Sequence, residues 1–186
     1  MTDPIEGFDR HVVHPPCFSL TEMANIIAAA NEDLMDGTIA GKIDDTSIRR
    51  SKVHWLDREK FDWAYRRLWR LAQQLNTKHF GFDIERFEGR LQVARYHQDD
   101  EGFYTWHMDN GQKTAGRKIS LSVQLSSPRD YDGGELQFFY TNKNKAAPRE
   151  QGTVVAFPSF VMHRVTPIER GVRYSLVAWV KGPRWR

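Results

Sequence analysis

From about residue 88 onward the chain is written in short β-rich segments: RLQVARYH (90–97), RKISLSVQLS (117–126), GELQFFY (134–140), GTVVAFP (152–158) and RYSLVAWV (173–180). Clusters of Gly, Pro and Asp part them, which is the punctuation of strands joined by tight turns. Helical patterns occupy the half that precedes them. Helices followed by a run of strands predict an α+β chain whose C-terminal half is an antiparallel sandwich or jelly roll. In such a roll alternate side chains of each strand point into a central cavity. Any chemistry is then to be sought among residues spaced by two.

The N-terminal half has two helix signals. SLTE (19–22) is a capping box, with Ser19 placed to satisfy a free amide and Glu22 to reach back, so a helix is expected through MANIIAAAN. Phe61, Tyr65, Leu68, Ala72 and Leu75 recur at three- and four-residue spacing and predict a second helix with Arg66, Arg67 and Gln73 outward. Between them, residues 32–56 read as a long polar connection, of a length associated with lids or disorder. Arg49 and Arg50 within it are expected to be solvated.

With 186 residues, 40% hydrophobic and 27% charged, the chain is sized for one domain, 1–186, in which 1–87 is helical support and lid and 88–186 the catalytic roll. No apolar run approaches the roughly 20 residues of a membrane span, and the start MTDPIEGFDR lacks the features of a signal peptide. The single cysteine, Cys17, excludes an internal disulfide framework and a thiolate zinc site, and a cytoplasmic location is expected. The formal charge of +3 is dispersed apart from IRR (48–50), YRRLWR (65–70) and KGPRWR (181–186), which disfavours a nucleic-acid partner.

FYTWHMDNG (103–111) holds His107 and Asp109 two positions apart, hence on one face if the strand continues through them. Two ligands hold a metal poorly, and His163 is the strongest third among the seven histidines, because it follows an apolar strand and a Pro-Ser turn. His11, His14, His54, His79 and His97 have no partner spacing and are expected at the surface or as caps. Two histidines and one carboxylate match the facial triad of non-haem Fe(II) oxygenases. Ten residues beyond His163, Arg173 begins RYSLVAWV with Ser175 on its face. An Arg directed into an apolar roll needs an anion, and a guanidinium suits a carboxylate. Two other classes fit parts of this pattern: a metal-dependent hydrolase or isomerase on a cupin-like roll, and a non-catalytic jelly-roll binding module. An obvious general base is missing near the triad, which counts against the first; an intact ligand set counts against the second.

These residues carry a resemblance. Tyr96, FYTWHMD (103–109), RKISLSVQLS, GGEL (133–136), GTVVAFPSFVMHRVTPI (152–168) and GVRYSLVAW (171–179) resemble, in order and spacing, the Fe(II)/2-oxoglutarate-dependent dioxygenases of the prolyl 4-hydroxylase type. The resemblance implies a double-stranded β-helix (jelly roll) core, with His107, Asp109 and His163 as iron ligands. It implies Arg173 on the distal carboxylate of 2-oxoglutarate, Tyr96 donating its phenol to the same molecule, and Ser175 completing an Arg-x-Ser pattern. Gln124 stands where several relatives carry a tyrosine, so it is a candidate for the co-substrate pocket with a different hydrogen bond. The implied reaction uses Fe(II), 2-oxoglutarate and O2, with ascorbate as an accessory reductant, to hydroxylate an unactivated C–H of a prolyl residue in a peptide or protein, or of a free amino acid or other small molecule. By the same resemblance, Asp109 favours hydroxylation over halogenation, and the absence of a longer Arg-x-Asn pattern disfavours nucleic-acid repair.

Overall fold

A computed structural model describes residues 11–38, 45–140 and 143–184. In chain order the elements are β1 (Val12–His14), α1 (Leu20–Glu32), β2 (Met35–Asp36), β3 (Arg49–Arg50), β4 (Lys52–Trp55), α2 (Asp62–Leu75), β5 (Arg86–Phe87), β6 (Gln92–His97) and β7 (Phe103–His107). They continue with β8 (Arg117–Gln124), β9 (Tyr131–Gly133), β10 (Leu136–Tyr140), β11 (Lys143–Ala146), β12 (Val154–Pro158), β13 (His163–Val165) and β14 (Ile168–Lys181).

Among the described residues the strands form two antiparallel sheets. The major sheet has nine strands along the path β1-β12-β8-β14-β6-β4-β2, with β5 and β9 added beside β14; the minor sheet has five, in the order β11-β10-β13-β7-β3. The α+β jelly roll expected from the strand grammar is therefore present, with two helices outside the major sheet.

The parity of the strands explains both the core and the cavity. In β14, Leu176, Ala178 and Val180 join α1 and α2 in the main apolar cluster, while Arg173, Ser175, Val177 and Trp179 line the cavity on the opposite face. The same division holds in β6, where Val93 faces the helices and Gln92, Ala94 and Tyr96 face the cavity. Of the positions whose spacing predicts α2, Tyr65, Leu68, Ala72 and Leu75 are buried, joined by Ala64 and Leu71, while Phe61 stands at the N-cap and is half-buried against the same cluster. The α1 capping box forms: the Glu22 amide donates to Ser19 Oγ at 3.2 Å and the Ser19 amide donates to Glu22 Oε2 at 2.8 Å.

Arg67 departs from the expected solvated face. Its guanidinium donates to both Glu22 carboxylate oxygens at 2.7 and 2.9 Å and to the Cys17 carbonyl at 3.0 Å, tying α2 to the start of α1. The reason is tertiary: an outward arginine on α2 meets the first turn of α1, where a carboxylate is already held.

The stretch 32–56 is also corrected. Rather than a plain connection it supplies β2, β3 and β4; of this stretch, residues 39–44 lie outside the described residues. β4 pairs with β6, and β3 with β7 through Arg49 opposite Tyr104. Partners distant in sequence, from Gln92 to Tyr104, make β3 and β4, and β2 in turn pairs with β4; no local propensity announces them. The N-terminal part is thus more than helical support. Of the sequence-based expectations, the start MTDPIEGFDR and the end of the basic tail KGPRWR lie outside the described residues. No described helix is long and apolar enough to cross a membrane.

Candidate metal centre and co-substrate pocket

The minor sheet brings the two histidines together. His163 on β13 and His107 at the end of β7 are directly opposed in register, and their rings lie 4.1 Å apart between centroids. Each imidazole turns Nδ1 to the backbone carbonyl two residues earlier: His107 to Thr105 at 2.8 Å and His163 to Val161 at 2.9 Å. A nitrogen against a carbonyl carries the proton, so Nε2 is left with its lone pair toward the cavity, the tautomer that binds a metal. Burial, with His163 second, pushes the His107 pKa down to about 3, which keeps this ring neutral.

Asp109 arrives by a different route from the one its spacing suggests. β7 ends at His107, so Asp109 lies just past the strand and is carried by hydrogen bonds rather than by the pleat. Its amide donates to the Ser159 carbonyl at 2.9 Å, and its own carbonyl accepts from Thr114 Oγ1 at 2.9 Å and from Arg117 at 3.2 Å. Ser120 Oγ donates to Asp109 Oδ2 at 2.6 Å and shares a 3.0 Å hydrogen bond with Ser159 Oγ. Burial alone would raise this carboxyl, but His163, His107 and Ser120 hold it below the usual carboxylate range. The carboxylate stands 3.8 Å from His107 Nε2 and 3.7 Å from His163 Nε2. The ligand atoms of His107, Asp109 and His163 all lie within 4.8 Å of one another, so the three could hold one ion. Imidazole and carboxylate donors in this ratio suit ferrous iron.

The triad opens on a cavity of about 730 Å³ that also contains Tyr96, Arg173 and Ser175. Arg173 is only 1% exposed, and among the described residues its guanidinium makes one hydrogen bond, NH2 donating to Gln124 Oε1 at 2.9 Å. Its Nε and NH1 are buried without a hydrogen-bond partner among those residues. Orphaned guanidinium nitrogens facing a cavity call for an anionic ligand. Gln124 is held in turn by donation to the Pro148 carbonyl at 3.1 Å; it stands behind Arg173 rather than on the cavity wall. Gly134, with a left-handed φ of 59°, leaves room beside the Arg173 stem, since a Cβ there would sit 3.2 Å from Arg173 Cδ and 2.3 Å from Ile168 Cδ1. The Gly133-Gly134 turn read from the sequence therefore also serves the pocket.

Several contributors escaped the sequence reading. Ser120, Ser159 and Arg117 position Asp109, and Arg117 is itself held by Glu88 at 2.8 Å and stacked 4.1 Å over Trp179. Tyr104 stacks on His107 at 3.5 Å and burial raises its phenol to about 12. Arg49, expected in solvent, is 7% exposed and lines the cavity; Arg50 behaves as expected and pairs with Glu101 at the surface. Of the remaining histidines, His97 caps a short turn through the Asp99 amide at 3.1 Å, and His11 stacks on Phe138 at 4.5 Å.

Comparison with known proteins agrees with this geometry. Residues 91–181 match the 2OG-Fe(II) oxygenase superfamily. A PKHD-type hydroxylase of Synechococcus sp. (strain JA-3-3Ab) is 41% identical over 63 residues, covering 34% of this chain and 28% of the relative. The chain spans well under half the length of the first such relatives, 28% to 36%. Among solved structures, a Pseudomonas putida prolyl-4-hydroxylase superposes with a TM-score of 0.76 at 22% identity, covering 94% of this chain and 93% of that one. A Trichoplax adhaerens prolyl hydroxylase, in complex with a hypoxia inducible factor oxygen degradation domain peptide fragment, superposes at 0.76 with 19% identity, covering 93% and 84%. At these identities the likeness speaks for the fold. Strand grammar, register-paired histidines and family match converge, and residues 91–181 form a domain of the 2OG-Fe(II) oxygenase superfamily.

Proposed function

We propose that the protein is a 2-oxoglutarate-dependent hydroxylase, acting on an unactivated C–H of a prolyl residue in a peptide or protein, or of a free amino acid. One observation carries the reading: three metal-donor side chains and a buried arginine with two unpartnered nitrogens share one cavity. A hydrolase on a cupin-like roll would have no use for that arginine, and a binding module would have no use for the donors.

His107, Asp109 and His163 would hold Fe(II), and Arg173 would receive the distal carboxylate of 2-oxoglutarate. When bound, these two groups supply the O2-dependent chemistry that replaces C–H by C–OH while the co-substrate becomes succinate and carbon dioxide. The chain's own residues do the positioning. Gln124 fixes the guanidinium plane, Tyr96 and Ser175 offer hydroxyl groups beside it, and Tyr104 locks the His107 ring by stacking. Ser120 donates to Asp109 Oδ2 and so limits how many carboxylate oxygens are free for the metal. Leu136, Phe157 and Val165 make an apolar wall that keeps bulk water from the reacting centre. The whole chain would act as one oxygenase domain in a reducing, cytoplasmic setting, with ascorbate as an accessory reductant.

The test is succinate formation from 2-oxoglutarate with Fe(II) under air, first alone and then with prolyl peptides and free amino acids. The expected result is a basal rate that one panel member stimulates, with gain of one oxygen in that molecule. Absence of any Fe(II)-dependent succinate would remove the proposal.

A further inference from the structure

The cavity has a second cation that the triad and the co-substrate clamp do not use. Arg49 sits on β3, across from Tyr104, with its guanidinium carbon 4.8 Å over that ring. Tyr104 in turn stacks 3.5 Å from His107, so Arg49 is one aromatic layer away from the triad. Its side chain is fixed from three sides: Nε donates to Ser51 Oγ at 2.7 Å, NH1 to the Thr38 carbonyl at 3.3 Å and NH2 to Gln92 Oε1 at 3.2 Å. Gly37 packs bare against it; a methyl there would lie 2.9 Å from Arg49 Nε and 2.5 Å from Ser51 Oγ.

These partners are all neutral. No carboxylate among the described residues pairs with Arg49, although it is 7% exposed. A guanidinium has five N–H groups. The three hydrogen bonds engage one N–H each on Nε, NH1 and NH2 and leave one N–H on each terminal nitrogen to meet an anion. The cavity's charge points the same way. Its lining holds Arg49, Lys113, Arg117 and Arg173 but a single acid, Asp109. Arg117 is neutralised by Glu88, and Arg173 is accounted for by the co-substrate. Arg49 is left as a buried, pre-positioned positive charge in a cavity whose lining also includes Trp55 and Trp179, and the indole N–H of Trp179 is buried without an acceptor among the described residues.

We propose that Arg49 binds the carboxylate of the substrate to be oxidised, and that this substrate is a free α-amino acid rather than a prolyl residue inside a peptide. The inference rests on the hydroxylase reading above and narrows its substrate class. Arg49 and the Trp179 indole hold the polar end of the molecule. The carbon to be oxidised then projects past Tyr104 toward the triad. A prolyl residue within a chain has its carboxyl tied up in the peptide bond and would leave Arg49 buried without a counter-ion.

The test separates the two levels. Wild-type protein loaded with Mn(II) and 2-oxoglutarate is dialysed to equilibrium against a pool of the free proteinogenic amino acids and, separately, a pool of their carboxamides. Retained ligand is identified by mass spectrometry. At least one acid is expected to be retained with a preference over its amide of about tenfold or more. Arg49→Gln abolishes that preference. Gly37→Ala, which keeps the charge but displaces the guanidinium, weakens it. The retained acid, supplied with Fe(II) and O2, stimulates succinate formation and gains one oxygen. Equal retention of acid and amide, an unchanged preference in Arg49→Gln, retention from neither pool, or stronger stimulation by a prolyl peptide would each overturn the inference. Basal succinate formation by the wild type is measured in parallel. If it is present when the preference is absent, the carboxylate role falls and the hydroxylase reading stands; if it is absent, both fall.

Discussion

Replacing Arg173 by Met should move two quantities in opposite directions. Ligand-free protein carries a 1%-exposed guanidinium whose Nε and NH1 have no partner. Each buried orphan donor costs about 1–3 kcal/mol. Met removes that penalty at similar length, at the expense of leaving Gln124 Oε1 without its donor, about 1 kcal/mol or more in the other direction. The net expectation is a gain on the order of 1–2 kcal/mol, which for a chain of this size raises the unfolding temperature by about 2–8 °C. Binding of 2-oxoglutarate moves the other way. Its distal carboxylate would be buried without a counter-ion, a loss on the order of 3–5 kcal/mol, or roughly a hundredfold to several thousandfold in affinity. Scanning calorimetry of the ligand-free variant and anaerobic titration of the Mn(II)-loaded variant read the two terms separately. Affinity within about threefold of wild type would refute the clamp. A lowered unfolding temperature would show that the orphaned nitrogens are not the strain the geometry suggests.

Asp109→Ala is expected to abolish Fe(II)-dependent succinate formation and to weaken Mn(II) binding in calorimetry, while its far-ultraviolet dichroism stays that of the wild type. Ser120→Ala removes the 2.6 Å hydrogen bond to Asp109 Oδ2, and metal affinity should fall by about ten- to a hundredfold without loss of the fold. Glu22→Gln breaks the pairing with Arg67 and weakens the α1 capping box; a loss of about 1 kcal/mol is expected, the half-exposed ion pair adding little. The Arg67 hydrogen bond holds the Glu22 carboxyl below its ordinary value. Its contribution is therefore fully present above the ordinary carboxylate range and is lost as pH falls through the lowered folded value. The wild-type stability advantage over Glu22→Gln should shrink on acidification, as measured by urea unfolding at a series of pH values.

Residues that lie on long, locally patterned segments were legible. The period of α2, the Ser19 capping box and the alternation in β8, β12 and β14 state their structure within ten or so residues. The triad and Arg173 were legible because their residue types make sense only together. What could not be seen was made by distant pairing. Asp109 was placed on a strand that stops two residues earlier, because the Ser159 carbonyl that holds it lies fifty residues on. Arg49 was assigned to solvent because its neighbours are polar and β3 exists only against β7. In the structure Arg49, Ser51 and Val53 are buried while Arg50, Lys52 and His54 are half-buried, the alternation of a strand, but the residue types at the two sets of positions show no matching apolar alternation.

The opposite faces of β6 and β14 answer to different demands. Val93, Leu176, Ala178 and Val180 bind sheet to helices, whereas Gln92, Tyr96, Arg173 and Trp179 meet whatever enters the cavity. Because neighbouring residues on one strand look in opposite directions, the inward set can be exchanged with little injury to the outward one. Selectivity in a scaffold built this way can drift under mutation while the packing that keeps the protein folded stays as it was.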